Sequence, residues 1–121
     1  MSIFRYTLQV GDPEGGQFEQ VEALVDTGAT FTVIPAGVLQ RLGIDRKERV
    51  RFQLAEGNVI ERDIGETQVR VDGRVVATVV VFGEDESPAL LGVYTVERAL
   101  LAVDPVGQRL VPTDALLMTA L

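Results

Sequence analysis

The sequence contains no cysteine and no histidine. Without cysteine there can be no disulfide scaffold, thiolate zinc site, iron–sulfur cluster or cysteine nucleophile. Without histidine there is no Ser-His-Asp triad, no histidine-ligated zinc and no side chain that titrates near neutrality unperturbed. Acid–base chemistry therefore falls to carboxylates, lysine or tyrosine. Basic residues are also scarce, 11 Lys and Arg against 18 Asp and Glu, for a formal net charge of -7 and a pI near 4.5. Phosphate backbones are bound through clustered Lys and Arg, so nucleic acid is not an expected partner. Long apolar runs are missing as well. Met1 to Arg5 lacks the basic-then-apolar layout of a secretory signal, so the expected location is cytoplasmic, with no membrane partner. At 121 residues with 46% hydrophobic and 24% charged side chains, the chain reads as one folded domain, 1–121, able to bury a core without metal or cross-links.

Apolar periodicity of two dominates. Ile3 to Val10 alternates Phe4, Tyr6, Leu8 and Val10 with polar residues, a turn follows at Gly11–Gly16, and a second strand runs from Phe18 to Val25. A short apolar segment, Phe31 to Ile34, precedes a short helix with Val38, Leu39 and Leu42 on one face, Pro35 at its start and Gly43 at its end. Period two returns with Val50, Phe52 and Leu54, a turn signal at Gly57-Asn58 and a return strand from Val59 to Ile64. A further hairpin pairs Thr67–Val71 with Arg74–Phe82 about Asp72-Gly73, its second strand apolar enough to be covered on both faces. Glu84-Asp85-Glu86 reads as a solvated loop rather than a cation site. A second short helix is expected from about Tyr94 to Leu100, then a turn at Asp104–Gly107 between two short strands. The Ala115–Leu121 tail is almost wholly apolar, which suits burial against a partner surface. The sum is an all-β domain of many short strands with one or two small helices.

One segment carries chemistry: Ala23-Leu24-Val25-Asp26-Thr27-Gly28-Ala29-Thr30. A carboxylate at the end of an apolar strand needs backbone amides to hold it, hence a turn, and Gly28 and Ala29 keep the space beside it free. As an isolated tripeptide, Asp-Thr-Gly is also what an ordinary Asx turn looks like. Its flanks, and Ala89-Leu90-Leu91-Gly92 after the hairpins and before a helix, separate the two readings. Together these motifs resemble the two signatures of the single-domain, retropepsin-like aspartic peptidases, and the hairpin order between them extends the resemblance over most of the chain.

The resemblance implies a closed retropepsin-like acid-protease β-barrel, one lobe per chain, with Asp26 catalytic and Thr27, Gly28 and Ala29 forming its active-site loop. Thr27 would reach across to a partner's loop. Leu90, Leu91 and Gly92 would pack beneath the loop, and the hairpin about 50–64, with Glu56, Gly57 and Asn58 at its tip, would be a flap over bound peptide. No cofactor or metal is implied. Two carboxylates are needed, and the chain has one Asp-Thr-Gly and no Asp-Ser-Gly, so the second comes from another copy. The expected activity is an aspartic endopeptidase working as a homodimer. The alternative is a catalytically silent dimerisation or peptide-binding module of the same fold. Val93-Tyr94 after Gly92 departs from the polar residues usual in retroviral members, so the resemblance does not carry over the retroviral style of dimer contact.

Overall fold

The computed structural model describes residues 3–115. Nine strands and two short helices follow one another: β1 (Ile3–Gly11), β2 (Phe18–Asp26), β3 (Thr32–Pro35), α1 (Ala36–Arg41), β4 (Glu48–Gln53), β5 (Val59–Val71), β6 (Arg74–Gly83), β7 (Ala89–Leu91), α2 (Val93–Arg98), β8 (Leu101–Asp104) and β9 (Arg109–Pro112). Six of them close into a barrel in the order β1-β2-β7-β3-β6-β5, with Gln9↔Arg70 and Val10↔Val69 sealing β1 to β5. Closure removes the open edges on which small sheets otherwise associate. β4 hangs on the first half of β5, outside the barrel, and β8 and β9 make a separate two-stranded sheet. Among the described residues no helix is long and apolar enough to cross a membrane.

The alternation read from the sequence sets which side chains point inward. Leu8, Val10, Val25, Ile34, Val69, Val71, Val80 and Leu91 are fully buried inside the barrel, and Leu39 of α1 and Val96 of α2 join the same core. Turn chemistry sets the connections. Asp72 and Gly73 both take positive φ, 51° and 81°, as the tight turn joining Val71↔Arg74 requires. Gly43 closes α1 at φ 77°.

Several boundaries differ from expectation, each for a physical reason. The return strand Val59–Ile64 and the hairpin strand Thr67–Val71 are one continuous strand of 13 residues, because Gly65 and Glu66 keep the ladder to β6 through Val80 and Val79. The turn signalled by Gly57-Asn58 is a three-residue loop centred one residue earlier: Leu54 C=O accepts the Gly57 N–H at 2.9 Å, Leu54 N–H donates to Asn58 C=O at 2.7 Å, and Gly57 takes φ 98°. β6 is covered on both faces only toward its end, since Val75 stays 42% exposed near the Asp72-Gly73 turn. α2 runs from Val93 to Arg98, one residue earlier at its start and two at its end, and Leu100 leaves it at φ 57°. In the acidic loop, Glu84 pairs with Arg62 at 3.0 Å and Asp85 accepts the Gly37 N–H at 2.8 Å. Residues 116–121 of the apolar tail lie outside the described residues.

Candidate active site

β2 buries Val21, Ala23 and Val25 into the barrel and ends at Asp26, which is half-buried and faces Ile3 across the ladder to β1. The chain then turns. Ala29 N–H donates to Asp26 C=O at 3.1 Å, and Gly28 N–H donates to Asp26 Oδ1 at 2.9 Å, so the loop's own backbone orients the carboxylate. No ion pair among the described residues involves Asp26. A carboxylate held by one amide and left without a cation is available to another charged or polar group. Thr27 and Gly28 are exposed beside it.

The second motif lies directly under this loop. β7 runs parallel to β2 with Leu24↔Leu90 and Val25↔Leu91 in register, and antiparallel to β3 at Val33↔Leu90. Gly92 is buried, and a Cβ there would stand 2.5 Å from the Phe31 carbonyl carbon and 2.8 Å from the Thr30 oxygen. Space, not backbone freedom, therefore demands glycine: its φ is an ordinary -87°. Past Gly92, Val93 N–H donates to Ala29 C=O at 2.9 Å and Tyr94 N–H to Thr30 C=O at 3.0 Å. The amides that begin α2 thus hold the segment leaving Asp26.

Glu56, Gly57 and Asn58, expected from the sequence as a flap tip, are exposed at the end of the β4–β5 hairpin. Phe52, two residues before that loop begins at Leu54, packs edge-on against Phe31 at 6.3 Å between ring centres, and Phe31 packs edge-on against Tyr94 at 6.0 Å. This aromatic row joins flap, active-site loop and α2. Nothing in the sequence pairs Phe31, expected only as strand, with Tyr94; the available signal was an aromatic side chain one residue after the first motif and two residues after the second. On the other side of the loop, Thr27 lines a groove of about 580 Å³ with Val93, Leu100, Val103 and Ala115. Ala115, the last described residue, is the first of the apolar tail.

The gag-polyprotein "putative aspartyl protease" family matches residues 16–98, from before β2 to the end of α2. The chain belongs to that family. The matched span holds the Asp-Thr-Gly loop, the flap hairpin and the second motif, and leaves out β1 and the β8–β9 sheet. Among solved structures, simian foamy virus (mac) protease is 21% identical with a TM-score of 0.55, covering 78% of this chain and 92% of that one. The EIAV protease complexed with the inhibitor HBY-793 is 18% identical with a TM-score of 0.56, covering 91% and 93%. The foamy viral protease-reverse transcriptase, in complex with RNA/DNA hybrid, is 14% identical with a TM-score of 0.55; the match covers 95% of this chain and 13% of that longer one. A search of curated protein sequences found no match. The fold is retropepsin-like, and the family is one of aspartyl proteases.

Proposed function

We propose that this chain is one protomer of a homodimeric aspartic endopeptidase, in which Asp26 from each copy shares a proton and activates a water for attack on a peptide bond. The observation that carries the reading is the state of Asp26: a single carboxylate, oriented by the Gly28 amide, half-buried at a loop whose next two residues are exposed. Two carboxylates at close range do not both ionise; the ionised one takes a proton from water while the protonated one polarises the carbonyl. Thr27 then stands on the two-fold axis, and the groove running from it past Leu100 and Val103 takes the second copy. Among the described residues the β8–β9 sheet pairs with no third strand and β8 lines that groove, which supports the same face, since a two-stranded sheet is marginal without further partners.

In this reading Glu56, Gly57 and Asn58 close over an extended peptide, with Phe52 and Phe31 offering it apolar contact, and Leu90, Leu91 and Gly92 support the loop from below. The 1–121 chain is a single domain, the enzyme acts in the cytoplasm on peptide or protein, and neither metal nor cofactor takes part. The test is Asp26→Asn. The amide cannot carry the shared proton, so cleavage of a fluorogenic peptide library should vanish while circular dichroism and the sedimenting species stay unchanged. Cleavage retained by the purified variant would remove Asp26 from the mechanism. The wild-type rate should pass through an acidic maximum and fall on both sides, as a shared proton requires.

A further inference from the structure

Three threonines from three different elements meet beneath the active-site loop. Thr32 begins β3, Thr78 lies within β6 and Thr95 sits in the first turn of α2; their exposures are 0%, 4% and 0%. Thr95 Oγ1 is 2.6 Å from Thr32 Oγ1 and 2.9 Å from Thr78 Oγ1, and Thr32 Oγ1 accepts the Gly92 N–H at 3.1 Å. A hydroxyl has one proton and two lone pairs, so Thr95 serves both neighbours at once, and it is the only one of the three that does. Buried hydroxyls are costly unless bonded, so a chain of three placed in an otherwise apolar interior serves something a row of valines would not.

Its position says what. Gly92, at one end of this hydroxyl row, passes so near Thr30 and Phe31 that no Cβ would fit, and the two residues after it donate to Ala29 and Thr30. Thr95 is in the same helical turn as those donors. It ties that turn to β3, which leaves the active-site loop, and to β6, the barrel wall behind it. We infer that Thr95 is a positioning residue for Asp26: its hydroxyl fixes the depth at which α2 meets the loop, so that the Val93 and Tyr94 amides stay on the Ala29 and Thr30 carbonyls and the carboxylate stays on the Gly28 amide. This rests on the proposed peptidase activity only for its kinetic readout.

The experiment compares wild type, Thr95→Val, Thr95→Ser and Thr78→Val. Valine keeps the shape and removes the hydroxyl. In Thr95→Val, kcat should fall about tenfold, the factor of one ordinary lost hydrogen bond, with KM nearly unchanged, and Thr95→Ser should restore most of it. Amide hydrogen exchange, measured in an Asp26→Asn background so that cleavage plays no part, should show protection lost at Ala29, Val93 and Tyr94 while Val69 and Val80 in the barrel ladder stay protected. A uniform loss of protection would mean plain destabilisation and would overturn the inference. So would wild-type kcat and exchange in Thr95→Val, or a serine variant as impaired as the valine one. If Thr95→Val does not fold, Thr78→Val decides: it cuts the outer link alone, and the same local pattern is expected at smaller size, its absence counting against the inference. A wild type that cleaves nothing would end the peptidase reading, while the exchange data would still decide the role of Thr95.

Discussion

From Gly65 to Val71, β5 lies in the barrel wall against β6, with Val69 and Val71 fully buried and every second residue turned inward; from Val59 to Ile64 the same strand pairs with β4, and none of those six residues is buried. The two halves share one backbone ladder and differ in everything else. The barrel half is held by apolar burial. The flap half is held by charge on its faces: Arg49 reaches Glu61 and Asp63 at 3.2 Å each, and Arg46 reaches Asp63 at 2.8 Å while stacking on Phe82 at 4.4 Å. Exposed pairs of this kind contribute about 0–1 kcal/mol each, against about 1.5–3 for a fully buried aliphatic side chain. One strand is thus built to be firm at one end and loose at the other. Under the proposed function this hairpin opens for a peptide and shuts over it, and such an element has to be drawn from the weakly held part of a fold.

The changeover falls at Gly65. A Cβ there would stand 2.5 Å from the Asp45 carbonyl oxygen and 3.2 Å from both Ile44 and Phe82, so the strand passes too close to the 44–47 segment for any side chain. Lys47 N–H donates to Ile64 C=O at 2.8 Å and fixes that approach. The comparison is broken most severely here. Gly65→Ala should destabilise by about 3 kcal/mol through forced displacement of the 44–47 segment, read as a lowered Tm and a lowered urea midpoint. A variant as stable as wild type would show that the 44–47 segment moves aside freely and that no firm boundary divides β5.

The next test makes one substitution twice in the same strand. Val69→Ala should cost about 2 kcal/mol, because it removes buried methyl groups from a wall that cannot collapse. Val59→Ala, at a residue 47% exposed, should stay within about 0.5 kcal/mol. Equal costs in denaturant titrations would mean that the flap half carries as much of the fold as the barrel half.

These two halves also mark what the sequence could and could not reveal. Strict alternation around Val69 and Val71 and the Asp72-Gly73 turn announce a hairpin because burial and left-handed turn geometry act locally. Asp26-Thr27-Gly28 and Leu90-Leu91-Gly92 were legible as a pair for a similar reason: each needs small residues at fixed positions, and the parallel register of β2 with β7 brings them together. The continuity of β5 through Gly65 and Glu66 was not legible, since a glycine inside an apolar pattern suggests a break until the neighbouring 44–47 segment is seen against it. Nor were Thr32, Thr78 and Thr95, which are 17 and 63 residues apart along their bonded pairs and look in sequence like ordinary strand and helix threonines. Contacts made only by closure of a barrel leave no periodic trace.

The smallest expected effect is also the one that refines the comparison furthest, because it acts on the flap half alone. The hydrogen bond from Arg46, joined by a second from Arg49, holds the Asp63 carboxyl below the usual aspartate range, against a smaller opposing effect of desolvation. A carboxyl that releases its proton more readily in the folded state binds fewer protons there than in the unfolded chain, so its contribution is present in full above the ordinary aspartate range. It is lost as pH falls through that range to the lower value Asp63 has in the fold. Acid should therefore loosen the β4–β5 hairpin before it touches the barrel. Amide exchange corrected for its intrinsic pH dependence should show protection fading at β4 residues such as Val50 and Phe52 in this window, while Val69 and Val80 hold. Added salt should act in the same direction, since these pairs are exposed and screened. Asp104, held low chiefly by the Gly107 amide and then by Arg109, belongs to the β8–β9 turn, so its protonation should leave the flap unmoved and provides an internal control. In Asp63→Asn the hairpin should already exchange at neutral pH as it does in acid in the wild type, with no further acid step. Under the proposed function that variant also separates two causes of any acid decline in cleavage: what persists in Asp63→Asn is assigned to the proposed Asp26 pair, and what disappears to the β4–β5 hairpin. A hairpin whose protection is the same in both proteins at every pH would show that Arg46 and Arg49 do not hold it, and that the loose half of β5 is kept in place by its backbone ladder alone.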